Sequence, residues 1–198
     1  VIYIYLNGVL LTSGSMSISN DSNVNSLVLL GAESSISVHF AGYIRLVRIY
    51  KLGSTLIEVL SRYHDILYDN SMGITYFPVD SYSLYLDASS YSGSGIDWFD
   101  LSPNSNNGTL TNGVVYSSSN SGVMIFDGID DSIDFPATNL SSTGNITIDT
   151  FLKLDGTQVA YADIIDYSHA SGGFVIQQYY GSSADSFYFA WWNGSGYD

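Results

Sequence analysis

Three carboxylates, Asp127, Asp130 and Asp131, fall within five residues inside the stretch Gly122 to Phe135, GVMIFDGIDDSIDF. Hard divalent cations take oxygen ligands from several carboxylates at once, so this spacing offers the start of a cation site. The plain alternative is turn chemistry, because Asp-Gly suits a tight reversal and solvated Asp keeps a surface soluble. Val123 and Ile125, then Ile133 and Phe135, are apolar at alternate positions. Alternation of period two marks half-buried strands, so the carboxylates are expected at the tip of a hairpin.

A second set of residues suits sugars. Pyranose faces stack on aromatic rings while their hydroxyls seek hydrogen bonds, and Tyr179, Tyr180, Trp191, Trp192, Asn193 and Tyr197 supply rings and an amide near two strand ends. Neighbouring residues of a strand face opposite ways, so only one of Trp191 and Trp192 faces the core. The other is a ligand platform or is buried against further chain. Nucleophilic catalysis has little to stand on: His39, His64 and His169 have no GxSxG or comparable nucleophile context. Each reads as a surface or packing residue. Asn20, Asn107, Asn139, Asn145 and Asn193 head acceptor sequons, which a chain this rich in Asn, Ser and Thr also produces by chance.

Composition bounds the elements that must carry these residues. The 198 residues suffice for one or two domains with a real core, and 45% hydrophobic content argues against disorder. Seventeen Tyr, nine Phe and abundant Gly, Ser, Asn and Asp favour pleated strands joined by turns, hence an all-β fold. The net charge of −14, with only five Lys and Arg, repels phosphate backbones and anionic bilayers and so excludes nucleic-acid binding. Glu33 and Glu58 are the only glutamates, leaving 17 of the 19 acidic residues as Asp. There is no cysteine, hence no disulfide or thiolate chemistry. No apolar run approaches the roughly 20 residues of a membrane-spanning helix, so no membrane insertion is expected. Val1 already lies inside a strand pattern, and a segment of a longer chain is expected.

In chain order, Val1 to Leu11 reads as a hairpin turning at Asn7-Gly8, and Ser26 to Ala32 as a short strand. Phe40 to Lys51 alternates, with Tyr43, Arg45, Val47 and Ile49 on one face and Ile44, Leu46, Arg48 and Tyr50 on the other. Both faces carry apolar residues, so cover on both sides is expected. Residues 54–68 change to helical spacing through Leu56, Val59, Leu60, Tyr63, Ile66 and Leu67, predicting one short helix. Residues 69–78 read as a linker. Strands are then expected at 82–88, 97–100, 109–116, 146–154, 162–167, 174–180 and 187–192, a cadence of sandwiches and jelly rolls.

From Val79 onward the segments SLYLDASSYSGSG, DWFDLSPNSNNGTLTNG, MIFDGIDDSIDF and NITIDTFLKL resemble, in order, the first half of the laminin-G-like (concanavalin A-like lectin/glucanase) jelly-roll family. Within residues 1–68, YIYLNGVL, AGYIRLVRIYK and the helix resemble its second half. The resemblance implies an antiparallel two-sheet jelly-roll sandwich, with residues 1–68 and 79–198 as two halves in reverse order. Either the chain spans the end of one unit and the start of the next, as the linker-like 69–78 suggests, or it is a permuted domain. Relatives often hold calcium, which the resemblance implies for Asp127, Asp130 and Asp131, joined by Asp100 and Asn107 from a loop able to approach them. Glucanases of the family place paired carboxylates on one strand, typically as E-x-D-x-E. Here Glu33 and Glu58 are isolated and Asp149 and Asp155 stand too far apart, so no enzyme is expected.

The reading is a non-catalytic module on an extracellular or virion surface, part of a larger protein, that binds glycans through Tyr179, Trp191, Trp192 and Asn193 or contacts neighbouring subunits. Its rivals are a purely structural repeat assembling by sheet completion, and an accessory domain of a carbohydrate-active enzyme.

Overall fold

The computed structural model describes residues 2–6, 9–14, 28–32, 39–50, 82–136, 146–156, 161–169, 172–178 and 187–192. Its strands are β1 (Ile2–Leu6), β2 (Val9–Gly14), β3 (Val28–Leu30), β4 (Ala41–Tyr50), β5 (Tyr82–Asp87), β6 (Asp97–Trp98), β7 (Gly108–Thr111), β8 (Val115–Ser117), β9 (Val123–Asp127), β10 (Ser132–Phe135), β11 (Thr147–Leu154), β12 (Ala162–His169), β13 (Gly172–Gln178) and β14 (Phe187–Trp192). Each lies within two or three residues of a stretch whose alternation or β-branched and aromatic content predicts a strand, except that the single strand expected over 109–116 is two, β7 and β8, which a turn at 112–114 sends to different sheets. The expected helix over 54–68 and linker over 69–78 lie outside the described residues.

All strand pairs are antiparallel, and two sheets face each other. In one the order is β14-β13-β12-β3-β10-β7-β6; in the other it is β11-β4-β9-β8, with β5 also against β4. The hairpin β1–β2 stands as a separate ribbon, with a register shift between Ile4 and Tyr5. Strand β4 is the spine of the second sheet. Strand β11 runs along one flank, while β9 (opposite Ala41 to Ile44) and β5 (opposite Leu46 to Tyr50) share the other. Strand β3 joins β12 to β10, so three residues stitch two sets of strands into one sheet. The segments expected as separate halves therefore complete each other's sheets: β3 and β4 come from 1–68 and every partner named here from 79–198.

One core lies between the sheets. Leu30, Ile133, Phe135, Ile164, Ile165 and Phe174 meet Ile44, Val47, Ile49, Leu84, Leu86, Met124 and Phe126. Each fully buried aliphatic side chain contributes roughly 1.5–3 kcal/mol relative to exposure, and that gain fixes which face of each strand turns inward. Trp98 closes the core with no exposed surface, its indole N–H donating to the Asp87 carbonyl at 3.2 Å. Among the described residues the architecture is thus mostly β, with a shared core.

Two expectations need correction. The stretch 122–135 is not a hairpin: β9 pairs with β4 and β8, β10 with β3 and β7, and the two do not pair with each other. Residues 128–131 form an arch that hands the chain from one sheet to the opposite one. Val123 to Phe126 are all apolar, so periodicity could not select the inward stripe; it is Met124 and Phe126. Gly128 takes φ +76°, and a Cβ there would stand 2.6 Å from that of Ala41, so the tight passage over β4 requires glycine.

Strand β4 departs from simple alternation as well. Ile44, Val47 and Ile49 enter the common core, not one unbroken set of alternate residues. The cause is a bulge: Ile44 pairs with Leu152 and Leu46 with Phe151, leaving Arg45 extra. One added residue flips the inward phase for the rest of the strand. Leu46 is buried on the other face, where Arg48 and Asp149 form a 3.7 Å ion pair, only 11% and 16% exposed. Both faces of this strand are thus covered at these positions.

Candidate metal centre

The arch gathers carboxylates because of how it turns. Asp127 ends β9, and its Oδ1 accepts the Ile129 N–H at 2.7 Å, a side-chain-closed turn that directs the chain out of the sheet. Asp131 precedes β10, and its Oδ2 accepts the Asp127 N–H at 2.9 Å, closing the arch across its base. From the adjoining turn, the Asn112 amide donates to the Asp130 carbonyl at 2.9 Å. Among the described residues, Asp127, Asp130 and Asp131 are the group whose ligand oxygens all lie within 4.8 Å of one another.

Their surroundings differ. Asp127 and Asp130 are exposed; Asp131 is 2% exposed. Burial pushes the Asp131 carboxyl above its usual 3.8; the Asp127 N–H bond pulls it down, the charges of Asp127 and Asp130 push it up again, and His39 lowers it. The Oδ1 of Asp131 is buried without a hydrogen-bond donor. Buried carboxylate oxygens are nearly always satisfied, so an open acceptor beside two further carboxylates suits a cation. Gly113, at φ +123°, borders the same oxygen: a Cβ there would lie 3.3 Å from Oδ1. The donor set is oxygen-rich and fits a hard divalent ion.

The structure places Asp100 and Asn107 in a different arrangement. The Asp100 carboxylate accepts four hydrogen bonds: Oδ1 from the Tyr85 and Ser102 N–H groups, each at 2.9 Å, and Oδ2 from the Ser102 hydroxyl at 2.7 Å and the Asn106 N–H at 2.9 Å. Asn107 Oδ1 accepts the Asp100 N–H at 3.0 Å. Asn104 and Asn106 donate to the Tyr82 and Ser83 carbonyls on β5. The D-L-S-x-N-x-N-N-G stretch thus ties a loop to β5, with the Asp100 lone pairs already engaged, and Asp100 is not part of the triad.

Trp191 and Trp192 end β14, where their backbones pair with Phe174 and Gly173; their side chains, and all of Tyr179 and Asn193, lie outside the described residues. His64 lies outside them as well. His39, read from sequence as packing or surface, stands beside the arch. No periodicity or spacing links His39 to residues 127–131; its backbone bridges Ala32 and Asp163, and its charge acts on Asp131.

No helix among the described residues is long and apolar enough to cross a membrane. No family model matches the chain, no curated protein matches it, and no solved structure matches it.

Proposed function

We propose that this chain is a non-catalytic display module of an extracellular or virion-surface protein. In this reading it is a jelly-roll sandwich of laminin-G-like type whose loops and aromatic side chains face glycans or neighbouring subunits, with a calcium ion pinning the arch from β9 to β10. The observation that carries it is the triad Asp127, Asp130 and Asp131 at the crossing between sheets, with a buried acceptor left open on Asp131. A cation there would tie the end of one sheet to the start of the other and hold the neighbouring loops for recognition. The motif resemblance supports the lectin-like class. The intrachain pairing of β3 and β4 with later strands supports the permuted arrangement.

Two measurements test the reading. Calcium at millimolar concentration is expected to raise the melting temperature of the EDTA-treated chain, and Asp130→Ala to abolish the rise; an unchanged transition removes the ion. Binding on a glycan array that Trp191→Ala or Trp192→Ala removes supports the lectin role. Silence across a broad array favours a second reading, a structural repeat that assembles by sheet completion. That alternative rests on β14, which has one strand neighbour among the described residues and carries the 40% exposed Phe187. Concentration-dependent sedimentation would then be expected.

A further inference from the structure

We infer, on the cation reading above, that the turn from β7 to β8 is the second wall of the cation site and that Asn112 is its positioning residue, holding Asp130 in place through the backbone.

The strand ladders place the turn. Thr111 of β7 pairs with Ser132 of β10 in one sheet, and Val115 of β8 pairs with Ile125 of β9 in the other. Residues 112–114 and the arch after β9 therefore cross between the sheets side by side, in opposite directions, with paired strands at both ends. Two contacts join the crossings. The Asn112 side-chain amide donates to the Asp130 carbonyl at 2.9 Å. A Cβ on Gly113 would lie 3.3 Å from Asp131 Oδ1, the buried oxygen that has no donor. One turn thus borders two of the three carboxylate residues.

Backbone conformation makes both contacts possible. Asn112 takes φ +61° and Gly113 φ +123°. Asn enters the left-handed region more readily than most residues that carry a side chain, so position 112 can combine that backbone with an amide. Glycine at 113 keeps the space beside Asp131 Oδ1 clear.

Two of the triad's six carboxylate oxygens already accept N–H groups of the arch, Asp127 Oδ1 from Ile129 and Asp131 Oδ2 from Asp127. At most four remain for an ion that takes six to eight oxygens, so affinity depends on how firmly they are held as well as on their charge. Asp131 is fixed by burial and by its bond across the base of the arch. Asp130 is exposed, and the Asn112 amide ties its main chain to the neighbouring turn. A partner of this kind, outside the ligands themselves, typically accounts for about tenfold or more in metal affinity.

The test uses the full chain, stripped with EDTA and titrated calorimetrically with calcium chloride. Asn112→Gly keeps the left-handed backbone and removes only the amide, so calcium affinity is expected to fall about tenfold. Asn112→Asp adds a carboxylate but loses the N–H donor and sets an oxygen against the Asp130 carbonyl. It too is expected to weaken binding, although charge alone would tighten it. Nitrogen-15 amide spectra of the wild-type chain need no variant: calcium should shift the Gly113 and Gly128 N–H resonances together. Affinity within twofold of wild type in Asn112→Gly, tighter binding in Asn112→Asp, or a shift at Gly128 with Gly113 unmoved overturns the inference. In each of those cases, calcium binding that Asp131→Asn removes leaves the triad reading standing. If calcium does not bind the wild-type chain, both fall.

Discussion

Two acidic loops at the ends of neighbouring strands treat the same side chain in opposite ways. Asp100 receives four hydrogen bonds and serves as the hub of its loop, whereas Asp131 receives one and keeps an oxygen buried and open. Both motifs look alike as sequence: Asp amid Gly, Ser, Asn and Asp between strands. The first loop lies along β5 and takes its donors from the chain that folds back on it. The second crosses between sheets, where the backbone moves away from its neighbours and too few donors reach the carboxylate. An acidic turn is thus a structural staple where the chain doubles back and a ligand candidate where it crosses over.

The largest effect expected from this contrast is at Asp100. Removing the carboxylate by Asp100→Ala strips four donors of their acceptor, and losing charged hydrogen bonds while leaving buried donors unmet costs on the order of 3 kcal/mol. Urea unfolding should show it. Asp100→Asn should cost nearly as much, because its amide N–H₂ would face either the Tyr85 and Ser102 amides or the Ser102 hydroxyl and Asn106 amide. A loss below about 1 kcal/mol for the alanine variant would show that this loop is held by other contacts.

Next in size is Gly113. Its φ of +123° and the 3.3 Å approach of a Cβ to Asp131 Oδ1 make Gly113→Ala cost roughly 1–3 kcal/mol through backbone strain. The same methyl would crowd the open oxygen, so any cation affinity should fall too. A variant as stable as the parent, with undiminished calcium response in thermal melts, would place the cation away from Oδ1.

Most of the scaffold was legible in the residues themselves. Strands such as Tyr82–Asp87 and Thr147–Leu154 have clear alternation, turn residues at both ends and no competing period. The exceptions share a cause. Val123 to Phe126 and Ile44 to Ile49 are apolar on both faces, so period two does not choose between them. The choice came from tertiary pairing, through an arch in the first case and the bulge at Arg45 in the second. The carboxylate triad was readable because its members are neighbours in sequence. Asp100 was read with it on resemblance alone, and no local pattern could show that β5 supplies one of its four donors, the Tyr85 N–H. The influence of His39 on Asp131 was unreadable for the opposite reason, since 92 positions separate the two and no local pattern spans them.

The smallest effect concerns Asp131 in the cation-free chain, and it carries the opposite sign to that at Asp100. Burial raises the folded-state pKa of Asp131 above the 3.8 of an ordinary aspartate. Between those two values the folded chain binds more protons than the unfolded one, so this group's contribution makes stability fall as pH rises through the window and stay lower above it. Asp131→Asn removes that dependence while its amide oxygen can still accept the Asp127 N–H. In EDTA the variant should therefore be at least as stable as the parent at neutral pH, with the gap closing as pH is lowered towards 3.8. Saturating cation should reverse the order, because an ionised carboxylate binds a hard cation more strongly than an amide oxygen does, and an ion at 100 times its Kd adds about 2.7 kcal/mol to the parent. Chemical-denaturation midpoints across pH, with and without the ion, decide it. A neutral-pH loss in cation-free Asp131→Asn comparable to that of Asp100→Asn would mean that Asp131, too, is a structural staple.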